Sequence, residues 1–251
     1  MLALVTGGLH RVGAAIGARL AALGYDLALH AHKAGEPDPE LTAVLTAHGR
    51  SWAAFPADLA DPAAVEALIG RVTAHFGQAP DALVNSASII TEGNWADIAQ
   101  GDLAGHLAVN FIAPILLTRS FAGALGAGQT GAVVNILDQR VKNPPIDQAA
   151  YTASKLALAS VTRVMARAFA PGVRINAVAP GMTLPGDDYA MDQWDRLAAT
   201  MPLGTNSQPA DIADAVAYLL GAGATTGQTL FVDGGANLES YNRDFVHLMR
   251  D

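Results

Sequence analysis

The sequence predicts a single α/β domain, a doubly wound parallel sheet with helices on both faces. Three observations predict it. Short apolar runs alternate with longer amphipathic ones along the whole chain, the pattern of strands joined by crossover helices. The short runs are apolar at nearly every position, as strands covered on both faces are. The 251 residues, 51% of them hydrophobic, suffice for one core of this kind, and no linker, repeat or low-complexity block divides residues 1–251.

The elements follow in order. Residues 2–5 form a buried strand, and residues 12–23 a helix closed by Gly24, which can take the left-handed turn that ends helices. Residues 26–30 are a second strand, 39–48 a second helix and 51–55 a third strand. Residues 62–76 form a helix with Asp61 as N-cap and Pro62 at the first position, where a missing N–H does no harm. Strands at 82–85 and 132–137 flank a long helix at 103–125. A helix at 149–169, a strand at 173–179, a helix at 209–220 and a strand at 229–232 complete the alternation. Residues 182–207 are the longest stretch without a clear element, a length that suits a substrate lid and a plain surface excursion equally. In the tail, Tyr241, Phe245 and Leu248 are spaced by four and three, which suits a short docking helix on its own subunit or on a neighbour.

Composition narrows the function. The net charge is −8, with 15% charged residues and no run of Lys or Arg, which argues against nucleic acid or an anionic membrane as a partner. No cysteine is present, so disulfides, thiol nucleophiles and cysteine-based zinc sites are excluded. The apolar start is stopped at once by Thr6-Gly7-Gly8, and the apolar run around Phe111 is too short to span a bilayer. The expectation is a cytoplasmic protein.

The segment "TGGLHRVG", from Thr6 to Gly13, lies between the first strand and the first helix. Gly7, Gly8 and Gly13, with Thr6 and Val12 among them, make a turn whose N–H groups can meet a pyrophosphate, the Rossmann-type arrangement. Arg11 puts a cation at the positive end of the helix dipole, which makes sense if an anion sits there. Folds that bind NAD commonly place an acid after the second strand to hold the ribose. Here "HAHKAG" has no acid before Glu36, and His32 and Lys33 would instead suit a 2′-phosphate, so the expected cofactor is NADPH. His30 and His32 share a strand face but lack a third metal ligand, so no metal is expected. Asp58, followed by Leu59, is placed to meet an adenine or to cap a helix. Asn85, Ala87 and Ser88 follow the fourth strand at the same edge.

"YTASK" places Tyr151 and Lys155 on one helix face, where the lysine can lower the phenol's pKa from about 10 and make it a general acid. Asn110 stands four residues before Pro114. Proline has no N–H and clashes with the carbonyl four residues back, so the helix should kink and free the Asn110 carbonyl for a water relay toward Lys155.

These residues together resemble the short-chain dehydrogenase/reductase family over essentially the whole chain. The shared pieces include Asp58, "NSAS" at 85–88, Asn110, Tyr151 with Lys155, Pro180-Gly181 and "VDGG" at 232–235. The resemblance implies that Tyr151 is the acid, Lys155 holds the nicotinamide ribose and Asn110 anchors the relay. Thr183 would touch the nicotinamide or a phosphate, and the assembly would be a homotetramer. The family usually has a serine 13 residues before the tyrosine, and here that position is Asp138. A carboxylate cannot donate to a ketone, but it can accept from a heterocycle's N–H groups. The pteridine reductase branch, with the related dihydromonapterin/dihydrofolate reductases, resembles this chain in both the arginine and the aspartate. The branch usually has an aromatic residue just beyond its "NAS", whereas this chain has Ile89 and Ile90. Trp95, Tyr189 and Trp194 are the aromatics that could stand in for it. The resemblance implies an NADPH-dependent reductase of a dihydropterin or dihydrofolate, with Arg11, Ser88, Ile90, Asp138 and Tyr151 touching substrate. A carbonyl or 3-oxoacyl reductase is the second reading, and a non-catalytic NADPH sensor the third.

Overall fold

The computed structural model describes residues 1–186, 189–190 and 192–249. Seven strands form one parallel sheet: β1 (Leu2–Thr6), β2 (Asp26–Ala31), β3 (Trp52–Pro56), β4 (Ala82–Asn85), β5 (Gly131–Ile136), β6 (Val173–Pro180) and β7 (Thr229–Val232). Their order is β3-β2-β1-β4-β5-β6-β7. The winding direction reverses between β1 and β4, so their carboxyl ends diverge into a crevice, the usual ligand position in such sheets. The expected strands are all present, with ends moved by a residue or two.

Alternation along each strand sorts the core into two layers. Ala3 and Val5 of β1, with Leu27 and Leu29 of β2, pack on Ile16 and Leu20 of α1 (Arg11–Ala22). The same layer takes Leu41 of α2 (Pro39–Ala47) and Val216 of α8 (Pro209–Gly221). Leu2, Leu4 and Val133 point the other way, onto Leu68 of α3 (Pro62–Phe76), Phe121 of α5 (Ala113–Ala124) and Met165 of α6 (Ala149–Ala168). One polar seam crosses the second layer. Asn85 Nδ2 donates to Asn135 Oδ1 at 2.8 Å, and Asn135 Nδ2 donates to Thr162 Oγ1 of α6 at 3.0 Å.

The long helix expected at 103–125 is three pieces: α4 (Gln100–Leu107), a π-helical turn at Ala108–Ile112, and α5. The Ala113 N–H donates to the Ala108 carbonyl, five residues back. The anticipated kink at Pro114 thus takes the form of a widened turn centred on Asn110. End to end, Gln100–Ala124 is long and apolar enough to cross a membrane, which the short run around Phe111 did not suggest. In this fold the segment packs on α3 and α6.

Residues 182–207 contain a further helix, α7 (Gln193–Thr200), with Gln193 and Leu197 buried. Among its described residues the tail forms no docking helix, only single 3₁₀ turns at Ala236–Leu238 and Phe245–His247. Gln193 Nε2 accounts for this, donating to the carbonyls of Phe245, Val246 and Leu248 at 3.4, 3.1 and 2.6 Å. Those carbonyls are bonded across the fold instead of along a helix. Phe245 packs with Met182, Leu197 and Met201, so the tail lies on its own subunit.

Asn135→Ala should cost about 2–3 kcal/mol, because it strands the Asn85 amide in the core and opens a small cavity. A urea midpoint unchanged from wild type would show that the seam carries no net stability.

Candidate active site

The turn after β1 is built on backbone proximity. Gly7 has φ 64°, and a Cβ on Gly13 would lie 2.0 Å from the Gly7 carbonyl oxygen, so no other residue fits at position 13. Thr6 is buried, and its Oγ1 accepts the N–H groups of Ser86 and Ala87 at 2.9 and 3.0 Å, fixing the two lips of the crevice. His30 is buried with both ring nitrogens engaged, Nδ1 accepting the Gly7 N–H and Nε2 on the Ala57 carbonyl. Burial holds its pKa below the ordinary value, so it is a neutral brace in the turn.

Arg11 opens α1 with φ 56°, the left-handed region that favours glycine. Its N–H donates to Asp38 Oδ2 at 2.9 Å, and its exposed side chain lines the cleft that also holds Tyr151 and Asp138. A non-glycine residue in this conformation carries strain of about 1–2 kcal/mol, and keeping arginine there points to a use for its charge.

Two clefts meet at Ser88. The first, about 350 Å³, is lined by Arg11, Val12, Ile90, Asp138, Tyr151, Lys155, Pro180, Gly181 and Thr183 among others. The second, about 430 Å³, runs from Gly7 past His32, Asp58 and Leu59 to Ala87 and Ile89. Asp58 Oδ1 accepts the Ala60 N–H at 2.8 Å and stands 3.8 Å from His32 Nδ1, while the cap of α3 is Asp61. Lys33 is exposed and lines neither cleft. Asn85 is turned into the sheet against Asn135, so its side chain is structural and not at the cofactor edge. Thr183 Oγ1 donates to the Gly181 carbonyl and shares a 3.0 Å contact with Ser207 Oγ. The residues fit an extended dinucleotide. The turn that glycine allows reaches both clefts, Gly7 in the second and Arg11 with Val12 in the first, and α1 has no acidic side chain in its first turn to compete with a phosphate.

Asp138, Tyr151 and Lys155 converge at the end of β5. Tyr151 Oη donates to Asp138 Oδ2 at 3.0 Å. Lys155 Nζ donates to the Ile136 carbonyl at 2.9 Å and lies 5.6 Å from the centre of the Tyr151 ring. Asn110 accepts from Ser88 Oγ and the Ile89 N–H and donates to the Ile89 carbonyl and Ser154 Oγ. Its side chain therefore clamps the loop after β4 to α6. What remains for a relay is its main-chain carbonyl, to which Pro114 can give no N–H.

The expected lowering of Tyr151 by Lys155 is reversed. Burial first, then the Asp138 carboxylate, push the phenol well above its ordinary value, so it holds its proton firmly. Lys155 moves the other way: burial brings it down from 10.5 to about 8. The sequence expectation weighed the neighbouring cation but not the burial of both groups.

Arg140 was not anticipated as a site residue. Its guanidinium is buried, 3.3 Å from Asp138 Oδ1, paired with Asp244 of the tail, and 4.6 Å over the Tyr151 ring. Its one sequence signal is a cation two residues after an aspartate that replaces a serine. Asp244 has none, standing more than a hundred residues from its partner. Among the aromatics, Tyr189 and Trp194 line the first cleft in edge-to-face contact at 5.1 Å, whereas Trp95 lines neither cleft.

Arg11→Gly should leave the fold as stable as wild type or about 1 kcal/mol more so, because the strain is released. It should also weaken NADPH binding about tenfold by removing a charged phosphate partner. Equal affinity in a fluorescence titration would deny Arg11 that contact. Lys155 sets a second expectation. Between pH 8 and 10.5 the unfolded chain binds the proton that the folded chain has released, so stability rises with pH across that window. Relative to Lys155→Met, wild type should gain about 3 kcal/mol from pH 8 to 10.5. Parallel stability curves for the two proteins would contradict this.

A family model described as Enoyl-(Acyl carrier protein) reductase matches residues 8–237. A granaticin polyketide synthase putative ketoacyl reductase 2 from Streptomyces violaceoruber is 32% identical, covering 94% of this chain and 96% of its own. The alternative dihydrofolate reductase FolM from Brucella suis, solved in complex with NADP, superposes with a TM-score of 0.84 at 33% identity, covering 95% of each chain. A short-chain dehydrogenase from Burkholderia cenocepacia, also in complex with NADP, gives a TM-score of 0.82 at 34% identity, covering 94% of this chain and 97% of its own. With the glycine turn, the Tyr151–Lys155 pair and the sheet order all in place, the chain belongs to the short-chain dehydrogenase/reductase family.

Proposed function

We propose that this protein is an NADPH-dependent reductase of a ring C=N bond in a dihydropterin or dihydrofolate. The observation that carries the reading is the hydrogen bond from Tyr151 to Asp138 at the cleft wall. A serine there would donate to a carbonyl oxygen, whereas a carboxylate accepts, which suits a substrate rich in N–H groups. The likeness to the FolM dihydrofolate reductase supports the same substrate class. His32 beside Asp58, with no acid closing β2, supports the phosphorylated cofactor.

Bound NADPH supplies a hydride to the ring carbon. Tyr151 gives its proton to the adjacent nitrogen; its raised pKa keeps it protonated across the neutral range at the expense of acid strength. Asp138 accepts from the substrate's N–H groups and so orients the ring. Lys155 stands below the tyrosine to hold the cofactor ribose, and Arg11 meets phosphate and substrate at the cleft mouth.

A second reading, reduction of a carbonyl or 3-oxoacyl group, is favoured by Ile90. It lines the cleft just beyond Ser88 and is 54% exposed, covering a ring without a π contact. The ketoacyl reductases among the relatives point the same way.

Cofactor oxidation with NADPH and with NADH, against a dihydropterin, dihydrofolate and an activated ketone, separates the readings. NADPH-dependent turnover of the pterin or the folate is expected. Turnover of the ketone alone would assign the second reading. Asp138→Ser should shift relative rates toward the ketone, and Tyr151→Phe should reduce turnover by about a hundredfold or more while NADPH still binds.

A further inference from the structure

Arg140 is a charged side chain in a place where burial is costly, only 3% exposed. Partners meet it on several sides, although its Nε makes no hydrogen bond. Its Nε lies 3.3 Å from Asp138 Oδ1, and its main-chain N–H donates to the same oxygen at 2.8 Å. Its Nη1 donates to Thr152 Oγ1 at 3.0 Å, and its Nη2 meets Asp244 Oδ2. Its plane covers the Tyr151 ring. The other oxygen of Asp138 takes the Tyr151 hydroxyl. The chain of contacts therefore runs from the tail to the reacting proton: Asp244, Arg140, Asp138, Tyr151.

Asp244 is itself held. Its N–H donates to Asp147 Oδ1 at 2.9 Å, and Asp147 Oδ2 pairs with Arg243 Nε at 3.2 Å. His247 Nε2 stands 3.0 Å from Glu92 Oε2 and 3.8 Å from Asp147 Oδ2. Two turns of loop and the end of the chain thus fix one carboxylate beside the cleft, whose wall includes Asp244 and Phe245.

We propose that Arg140 and Asp244 are positioning residues of the reaction and that the C-terminal tail is therefore part of the catalytic machinery. Arg140 holds Asp138 with one oxygen bound from behind, leaving the other to Tyr151 and the substrate. Asp244 balances the guanidinium, so that the cluster carries one net negative charge instead of none. The assignment rests on Asp138 and Tyr151 being the reacting groups, not on which substrate they reduce.

The charges also dictate how the cluster responds to substitution. Burial alone would make Arg140 easier to deprotonate, but Asp138, Tyr151 and Asp244 outweigh it and raise its pKa. Burial pushes the Asp244 carboxyl up, and Arg140 is the charge that opposes this. Without the guanidinium, two carboxylates would face each other near a third, Asp147, and the pair would take up a proton more readily. Lys155, across Tyr151, is the remaining cation nearby, and its own proton is already loosened.

The test measures pH–rate profiles for the holoenzyme with whichever of the three substrates it turns over, and melting temperature against pH without substrate. Arg140→Gln should lower kcat about tenfold with the NADPH affinity unchanged, and move the acidic limb of the profile up by about one pH unit. Adding Asp244→Asn removes the exposed repulsion, so the double variant should return the limb toward wild type and recover part of kcat. A purely structural role predicts the reverse, a double variant worse than the single one, and that result would overturn the proposal. A wild-type profile for Arg140→Gln would overturn it too. In the melting series, Arg140→Gln should become more stable as the pH falls from 7 to 5, and the double variant should lose that trend. This second readout needs no turnover, so a wrong substrate assignment and a wrong role for Arg140 give different outcomes. Should Arg140→Gln fail to fold, Asp244→Asn alone should lower kcat severalfold and Asp244→Glu should restore it, and wild-type kcat in Asp244→Asn would overturn the proposal.

Discussion

A parallel sheet that reverses its winding must open where it reverses, and everything chemical in this protein is arranged around keeping that opening in one shape. The Thr6 hydroxyl does so directly, holding the first residues after β4 against the end of β1. Asn110 repeats the operation one layer further out, tying the loop at Ser88 and Ile89 to Ser154. His30 closes the third side, between the glycine turn and the end of β3. Three polar side chains, all buried, thus convert a gap between strands into a rigid slot. None has a charge at neutral pH to be neutralised by a ligand, so the slot can keep its form whether or not a cofactor fills it.

Apart from the His32–Asp58 contact, charge gathers at the other end. The cleft gathers Arg11 at its mouth and Lys155, Arg140, Asp138 and Asp244 in its wall. Where the first end relies on neutral donors and acceptors, this end depends on cations and carboxylates held close together in a poorly hydrated space. Such an arrangement is stable only if each charge has its partner, since an unpaired buried ion costs several kcal/mol. The two ends therefore differ in kind, one held by neutral hydrogen bonds and the other by paired charges.

Most of the fold was legible because it rests on short-range pattern. The apolar runs gave seven strands, and Pro62 with Asp61 fixed the start of α3. The glycine turn, Tyr151 and Lys155 were legible because their spacing is local to one turn or one helix, whereas Asp138 was legible only through the family's serine 13 residues before the tyrosine. Pro114 announced a distortion at Asn110, though not that it would be a π-helical turn, since the neighbours that receive the extra residue lie on other elements. Asn85 misled because a polar residue ending a strand reads as a ligand contact, and only the register with Asn135 shows it facing another strand. The direction of the Tyr151 shift was missed because sequence proximity reveals the lysine and hides the burial. Asp244 and Gln193 were invisible for the plainest reason: each acts on a segment some fifty to a hundred residues away, and nothing nearby marks them.

Gln193 has a consequence of its own. One side-chain amide, with two hydrogens, is shared among three carbonyls of the tail, while its oxygen accepts the Ala190 N–H. Helix α7 and residues 245–248 are therefore mechanically one piece, although some fifty residues separate them in the chain. Displacing either leaves a buried amide or a set of carbonyls without partners, at about 1–3 kcal/mol for each group. Free-energy coupling of this kind is reciprocal. Any displacement of α7 therefore carries a cost at residues 245–248, and any displacement of those residues carries the same cost at α7.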